Sequence, residues 1–287
     1  MNTDAIFIRH KLSTTPEILE TLWSENLIAV HYLNSESTDP DYYRGQGEKT
    51  GAEVLARLHS CVKTGAAVAA SYRSIRPGVL KIGRIVPGKS IIAPRRFHDI
   101  NRGELIYKVV NLISAKDIYL RRYPVLNAIQ PRQKTLTGWQ SAANMLEAIL
   151  DNRPLPITLG SLHPSQLETL CYEYLRAKRL LSHLILPIGR NMYEVDMCAL
   201  NTNGEMVFAQ VTHTGSDSTT RDKVERLRPF AGDKCRLFYF GPENARVQDD
   251  QLTFCPFEKV FEFMLSENRL LIEKMINTDW ANHLSGD

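Results

Sequence analysis

The sequence predicts an α/β protein, α+β overall, with a small strand-rich unit in its first half and a mixed sheet flanked by helices in its second half. Three observations predict this. Apolar residues alternate between helical spacing and short strand-like runs, turn residues separate these runs, and the proline-rich stretch DNRPLPITLGSLHPSQ divides the halves. We therefore expect a domain over residues 1–150, a linker over 151–160 and a second domain over 161–287.

The composition is that of a soluble globular protein. Hydrophobic residues make up 43% and charged residues 23% of the chain, close to the usual averages, which excludes a disordered or fibrous protein. The net charge of +3 permits a nucleic-acid partner without requiring one. Five scattered cysteines without a C-x-x-C pair argue against a disulfide framework or a zinc site. With no secretory signal and no long apolar stretch, we expect a cytoplasmic protein without a membrane span.

The first half reads as strands joined by helices. IFIRH and LIAVHYL predict strands around a helix in PEILETLWSEN, and NSESTDPDYYRGQGEKTG predicts a loop. GAEVLARLHSCVKTG has apolar residues at helical spacing and ends on Gly65, a residue type that commonly terminates helices. AAVAASYRS, VLKIGRIVPG and ELIYKVVNLI predict further strands, and SAANMLEAIL predicts a helix.

The second half begins with a helix in HPSQLETLCYEYLRAKRLL. LILPIG, YEVDMCALN and EMVFAQVTHT predict three strands, separated by turns at residues 189–191 and 201–204. TTRDKVERLRPFAG predicts a helix, KCRLFYFG a buried strand, and FEKVFEFMLSENRLLIEKMI one or two helices. This order predicts a mixed sheet with helices on both faces.

Polar residues in these apolar strands are the candidate site. Asp196 lies in the second predicted strand, Gln210 near the end of the third, and Glu168 in the helix before them. An ionised group in a buried strand is costly unless it is paired or bound to a metal. The alternatives are that Asp196 is a strand-edge carboxylate bonded to backbone, that Gln210 satisfies its amide within the sheet, and that Glu168 is solvated.

This arrangement resembles the PD-(D/E)XK nuclease superfamily, and most closely its Mrr-like restriction endonucleases, over about a hundred residues. The resemblance implies a restriction-endonuclease-like fold and a Mg²⁺ (or Mn²⁺) ion held by Asp196, Gln210, the Val211 carbonyl and Glu168. Hard oxygen ligands suit magnesium, and a divalent metal assists phosphodiester hydrolysis by activating a water and offsetting charge.

Thr212 departs from the superfamily pattern, which usually has a lysine at that position. The superfamily lysine orients the attacking water, and some members carry it on a neighbouring helix. Lys223, in TTRDKVERL, is the candidate replacement, with His213 and Arg221 behind it.

The first half resembles the small barrels of the PUA and EVE group in its order of elements, which implies a reader of RNA or modified bases. Trp23, Tyr32 and Trp139 are then candidate stacking residues, and Arg73 and Arg84 are candidate phosphate contacts. The alternative is that the aromatic residues belong to the core and the basic residues to a solvated surface.

The resemblance thus implies a metal-dependent DNA endonuclease of a restriction or anti-phage system, acting as a homodimer and possible partner of other defence proteins. One alternative is an inactive nuclease-fold subunit that binds DNA, which Thr212 fits directly. A second alternative is a protein that binds or processes RNA.

Overall fold

The computed structural model describes residues 4–10, 14–132, 134–189, 192–213, 215–245, 247 and 249–276. The chain divides into two compact units, with the boundary between Leu155 and Pro156. In the described ranges no helix is long and apolar enough to cross a membrane.

The first unit is built from short strands and helices. In chain order its elements are β1 (Asp4–Arg9), α1 (Pro16–Ser24), β2 (Leu27–Val30), α2 (Pro40–Gly45), α3 (Lys49–Thr64), β3 (Ala66–Ser71), β4 (Val79–Ile85), β5 (Ile92–Asp99), β6 (Gly103–Asn111), β7 (Ile113–Tyr119), α4 (Pro124–Ala128), β8 (Leu136–Gly138) and α5 (Ala143–Leu150).

These strands form two open sheets. The larger has the order β7-β4-β3-β1-β8, and the smaller has the order β2-β6-β5. β1 and β3 run parallel, with Arg9 beside Ser71, so their carboxyl ends meet at one edge. The other pairs of both sheets are antiparallel.

The strand-rich character of this unit is as the sequence predicts, but the barrel is not. Between the described residues neither sheet closes on itself. A core of Ile6, Ile8, Leu19, Leu55 and Val68 lies under these sheets and helices. Two amphipathic helices, α1 and α3, supply part of this apolar surface, so the strands need not wrap around each other to bury their inner face.

Five elements of this unit are not predicted from the sequence: α2, α4, β5, β7 and β8. α2 lies in the polar run taken as a loop, where Asp39 caps the helix by accepting from the Asp41 N–H and Pro40 occupies its first turn. β5 and β7 are amphipathic edge strands whose exposed positions carry polar and charged residues. Their hydrophobic pattern is too weak to separate them from the flanking turns.

The second unit contains one mixed sheet. In chain order its elements are α6 (Pro164–Ala177), β9 (His183–Leu184), β10 (Met197–Leu200), β11 (Met206–Val211), α7 (Asp217–Leu227), β12 (Cys235–Gly241), β13 (Leu252–Pro256), α8 (Phe257–Glu267) and α9 (Arg269–Ile276). The strand order is β13-β12-β11-β10-β9. β9, β10 and β11 are antiparallel neighbours, and β11, β12 and β13 run parallel.

A mixed sheet flanked by helices is therefore confirmed. The strands near the candidate site are shorter than predicted, since β9 has two residues and β10 begins only at Met197, one residue after Asp196. β13 is an unpredicted edge strand. The predicted turn residues Arg190 and Asn191 lie outside the described residues.

Candidate active site

The backbone at Asp196 is held on both sides. Its N–H donates to the Ala209 carbonyl over 2.9 Å, and its own carbonyl accepts from the Gly189 N–H over 2.9 Å. The first bond continues the pairing between β10 and β11, in which Met197 lies opposite Ala209. Asp196 thus has a fixed position at the start of β10, with its side chain beside the end of β11.

The Asp196 carboxylate takes the place of a missing strand partner. One oxygen, Oδ2, accepts a hydrogen bond from the Val211 N–H over 2.8 Å. The same oxygen accepts from the Gln210 side-chain amide. Because β10 begins only after Asp196, the strand offers no backbone acceptor to the Val211 N–H. The Asp196 carboxylate accepts from this N–H instead, so the donor is not left unpaired.

Glu168 reaches the site from α6, whose first turn is well capped. The His163 ring accepts from the Ser165 N–H, while the Gln166 side chain accepts from the His163 N–H. One turn later, Glu168 Oε1 lies 3.9 Å from His213 Nε2, just beyond β11. α6 and the end of β11 therefore bring a carboxylate and an imidazole together.

Lys223 comes from α7. Thr220 and Leu227, three residues before it and four after it, are buried, so Lys223 lies beside the packed face of the helix. Its Nζ donates to the Val211 carbonyl over 3.3 Å. The structure thus brings together five predicted members of the site: Asp196, Gln210, Glu168, Lys223 and the carbonyl of Val211.

Electrostatics around Asp196 reflect this cluster. Burial raises the pKa of its carboxyl above the usual range, and the negative charge of Glu168 adds to this. The Val211 N–H and the positive charges of Lys223 and His213 lower that pKa in part. A buried carboxyl with a raised pKa gains from a nearby cation, because the cation stabilises its ionised form.

The donor set suits a hard divalent cation. Asp196 Oδ1 accepts no hydrogen bond from any described residue, so this carboxylate oxygen is not committed within the fold. Glu168 and the Val211 carbonyl complete an all-oxygen set. In the described part of the chain, no three His, Cys, Asp or Glu residues form a metal cluster, so such an ion would need backbone, amide or water oxygens as further ligands.

Gln210 presents its amide nitrogen to Asp196 and, over 3.4 Å, to the Val211 carbonyl. In this orientation its observed contacts hold the carboxylate in place. The expectation that its oxygen binds a metal stays a prediction.

Thr212, the position at which the resemblance predicts a lysine, points into the core. Its side chain is 2% exposed, and its hydroxyl has no hydrogen-bond partner within the part of the chain that is described. Its N–H donates to the Phe240 carbonyl over 2.9 Å, a strand contact that any residue other than proline makes. A lysine here would bury its charge, which is a physical reason for the cation to come from α7 instead.

We expect Thr212→Val to stabilise the protein by about 1 kcal/mol and to leave any DNA cleavage at this site intact. A buried polar group without a partner costs about 1–3 kcal/mol, and valine keeps the shape of the side chain. Urea denaturation gives the free energy of unfolding. Loss of activity in a variant that is at least as stable as the parent would show instead that the hydroxyl takes part in the reaction.

The first unit corrects three predictions of nucleic-acid contacts. Trp23 is 8% exposed and packs edge-on against Tyr72, with Lys81 Nζ 4.4 Å from its ring. Trp139 is 3% exposed and donates its indole N–H to the Ile129 carbonyl over 3.1 Å. Both are core residues, because their large apolar surfaces close the sheet rather than face solvent.

Arg84 is likewise committed within the fold, since it pairs with Glu147 and, over 2.7 Å, with Asp151. These two carboxylates neutralise the positive charge of Arg84 that would otherwise attract a phosphate. Tyr32 is partly buried against the core, and burial raises the pKa of its hydroxyl. Of the five predicted contacts, Arg73 is the one that the structure leaves exposed.

Two features of the site escape the sequence analysis. The Val211 N–H holds Asp196, and the His213 ring stacks over Phe257 with centroids 6.0 Å apart. A backbone donor has no signature in a sequence, and the stack joins residues more than forty positions apart. The separation of His163 and His213 along the sequence does not indicate that they share a site.

No protein-family model matches the chain, and no curated protein matches it. Among solved structures, a repair endonuclease from Pyrococcus abyssi has 12% identity and a TM-score of 0.20, over 85% of this chain and 96% of that one. A structure of an EndoMS–dsDNA complex has 10% identity and a TM-score of 0.21, over 84% and 93%. Similarities with TM-scores this low carry no argument about this chain.

Proposed function

We propose that the second unit is a metal-dependent endonuclease that hydrolyses phosphodiester bonds in DNA. The observation that carries the proposal is the position of Lys223. Its ammonium group binds the carbonyl of Val211, and the N–H of the same residue binds Asp196. A cation is therefore beside the acidic cluster although Thr212 replaces the usual lysine.

Asp196, Glu168 and the Val211 carbonyl would hold Mg²⁺ or Mn²⁺. When bound, such an ion supplies Lewis acidity that offsets phosphate charge and lowers the pKa of a water. Gln210 holds Asp196 in place through its amide nitrogen. Lys223 orients the attacking water and stabilises the negative charge that develops on the phosphate, and His213 adds positive charge near Glu168 when it is protonated.

The proposal extends to a biological setting in a restriction or anti-phage defence system. Cleavage of both DNA strands needs two active sites, which a homodimer supplies by symmetry. The first unit would then act as the reader of the target. These points remain predictions from the resemblance.

Plasmid nicking tests the proposed activity. We expect the purified protein to convert supercoiled DNA to nicked circles with Mg²⁺ or Mn²⁺, to stop with EDTA, and to resume when excess Mg²⁺ is restored, because the carboxylates alone cannot activate water. Catalytically inert Ca²⁺ serves as the control ion. DNA binding without nicking in either active ion would contradict the proposal and favour the inactive binding subunit, and cleavage confined to RNA would favour an RNA-processing enzyme.

A further inference from the structure

The first unit contains a basic cleft at the carboxyl ends of the parallel strands β1 and β3. We define the basic cleft as a cavity of about 790 Å³ lined by Arg9, His10, Ser71, Arg73, Asn127, Gln130, Pro131, Arg132, Lys134 and Thr135. Four of these residues are cationic and none is acidic. Side chains that follow parallel strands meet at one edge of a sheet, which is where α/β proteins commonly bind ligands.

The cations of the basic cleft differ from six basic residues of this unit that are paired with carboxylates. These six residues each form an ion pair with a carboxylate: Arg57, Arg76, Lys81, Arg84, Arg95 and Arg96. Arg73, Arg132 and Lys134 have no carboxylate within ion-pair distance in the described ranges. Positive charge without a counter-charge therefore accumulates in the basic cleft.

The floor and one rim of the cleft are held by specific contacts. His10 accepts from the Ala29 N–H over 3.2 Å, lies 3.3 Å from the Ser71 carbonyl, and stacks on Tyr72 with centroids 4.1 Å apart. Burial lowers the pKa of His10 to about 4, so its ring is neutral at physiological pH. Arg9 donates to the carbonyls of Pro131 and Arg132, which holds the rim in position.

One lining residue lacks a partner. The side-chain nitrogen of Gln130 is buried and has no hydrogen-bond acceptor among the described residues. An unsatisfied buried donor is costly, and a ligand oxygen would remove that cost when the Gln130 amide turns toward the cleft. This observation points to an acceptor-rich ligand independently of the cationic charge.

The basic cleft continues along the surface. A second cavity of about 490 Å³ shares Asn127 with it and is lined in addition by Tyr119, Leu120 and Arg121. Tyr119 is 49% exposed, and the Arg121 guanidinium lies 5.4 Å from the centroid of its ring. Grooves that bind single-stranded nucleic acid combine a positive track for phosphates with exposed aromatic rings on which bases stack.

We propose that this extended cleft binds a single strand of nucleic acid, with its phosphates at Arg73, Arg132 and Lys134 and a base on Tyr119. Cavities of this size enclose one or two nucleotides and are too small for a duplex. The proposal concerns the first unit alone and holds whether or not the second unit cleaves DNA.

Fluorescence anisotropy with a labelled oligothymidylate of about 12 nucleotides, within the usual site sizes of such grooves, tests the proposal on the full chain. EDTA in the buffer prevents cleavage. We expect Arg73→Ala/Lys134→Ala to weaken binding by about tenfold, and the loss of two phosphate contacts to reduce the salt slope by about 1.4. Arg57→Ala/Arg96→Ala is the control, because it removes the same charge from ion-paired positions.

Equal affinity of the two double variants would overturn the proposal, as would a blunt duplex that binds as tightly as the single strand. Thermal unfolding checks that both variants fold. Gln130→Leu gives a second measurement, which we expect to weaken binding while it raises the melting temperature, because leucine removes the unsatisfied donor. A Gln130→Leu protein that binds as tightly as the parent would exclude Gln130 from the site.

Discussion

Asp196→Asn is expected to lower the rate of metal-dependent nicking by about 10³-fold and, at the same time, to stabilise the metal-free protein. A metal ligand contributes several kcal/mol of transition-state stabilisation, and about 4 kcal/mol corresponds to a factor of 10³. Asparagine has the size of aspartate, and its side-chain oxygen can still accept from the Val211 N–H. The exchange therefore removes charge with little change in shape.

The stability gain follows from the direction of the Asp196 pKa. Burial raises that pKa, so the folded state holds the proton more tightly than the unfolded state. The stability contributed by the protonated carboxyl is present below the unfolded pKa and is lost as the pH rises through the folded pKa. At neutral pH the wild-type protein therefore carries a cost that the asparagine variant lacks.

Thermal unfolding in EDTA and in Mg²⁺ measures both effects. We expect the variant to melt higher than the wild type in EDTA, and Mg²⁺ to raise the melting temperature of the wild type alone, since a ligand stabilises the state that binds it. Glu258→Gln is a matched control that removes a carboxylate charge from α8. Nicking that persists in Asp196→Asn would exclude this site.

Lys223→Met is expected to lower the cleavage rate by about 10²–10³-fold, the loss seen when one preorganised donor to a transition-state oxyanion is removed. Methionine keeps the unbranched stem that lies beside the packed face of α7 but lacks the ammonium group. Because Lys223 contacts the Val211 carbonyl without itself being a metal ligand, Mn²⁺ should still bind the variant in calorimetry. Single-turnover cleavage of a labelled DNA then isolates the chemical step.

A pH profile distinguishes this role from a structural one. The charge of Lys223 lowers the pKa of Asp196, so its removal should move the onset of activity to higher pH. Lys234→Met is the control, because Lys234 is exposed and lies next to the amino end of β12, away from the Val211 carbonyl. Wild-type rates in Lys223→Met would show that the ammonium group takes no part.

The sequence was most informative where the hydrophobic pattern is strong. α3, α6 and β12 are predicted well because their apolar residues repeat with a clear period. The barrel was wrong because the order of elements does not specify how sheets close. That depends on which helices cover the inner face, and sequence order alone leaves this open.

The site was predictable in part for a similar reason. A carboxylate at position 196, within a buried run, stands out against its neighbours, whereas Lys223 lies among other charged residues in the middle of α7. The roles of Trp23 and Trp139 were not predictable, because the sequence alone does not show whether a tryptophan stacks on a base or fills a core. The basic cleft joins Arg9, Arg73 and Lys134, which only the meeting of β1, β3 and the chain before β8 brings together.

Val211 connects the carboxylate and the ammonium group of the candidate site through its main chain, because its N–H donates to Asp196 and its carbonyl accepts from Lys223. Every amino acid except proline offers these same two groups. Most substitutions of Val211 should therefore leave these contacts unchanged. Isoleucine or threonine should keep both hydrogen bonds, whereas proline would remove the N–H donor. The residue type at position 211 can therefore change while the geometry of the site stays the same. Such a site is identified by the register of β10 against β11 rather than by the residue type.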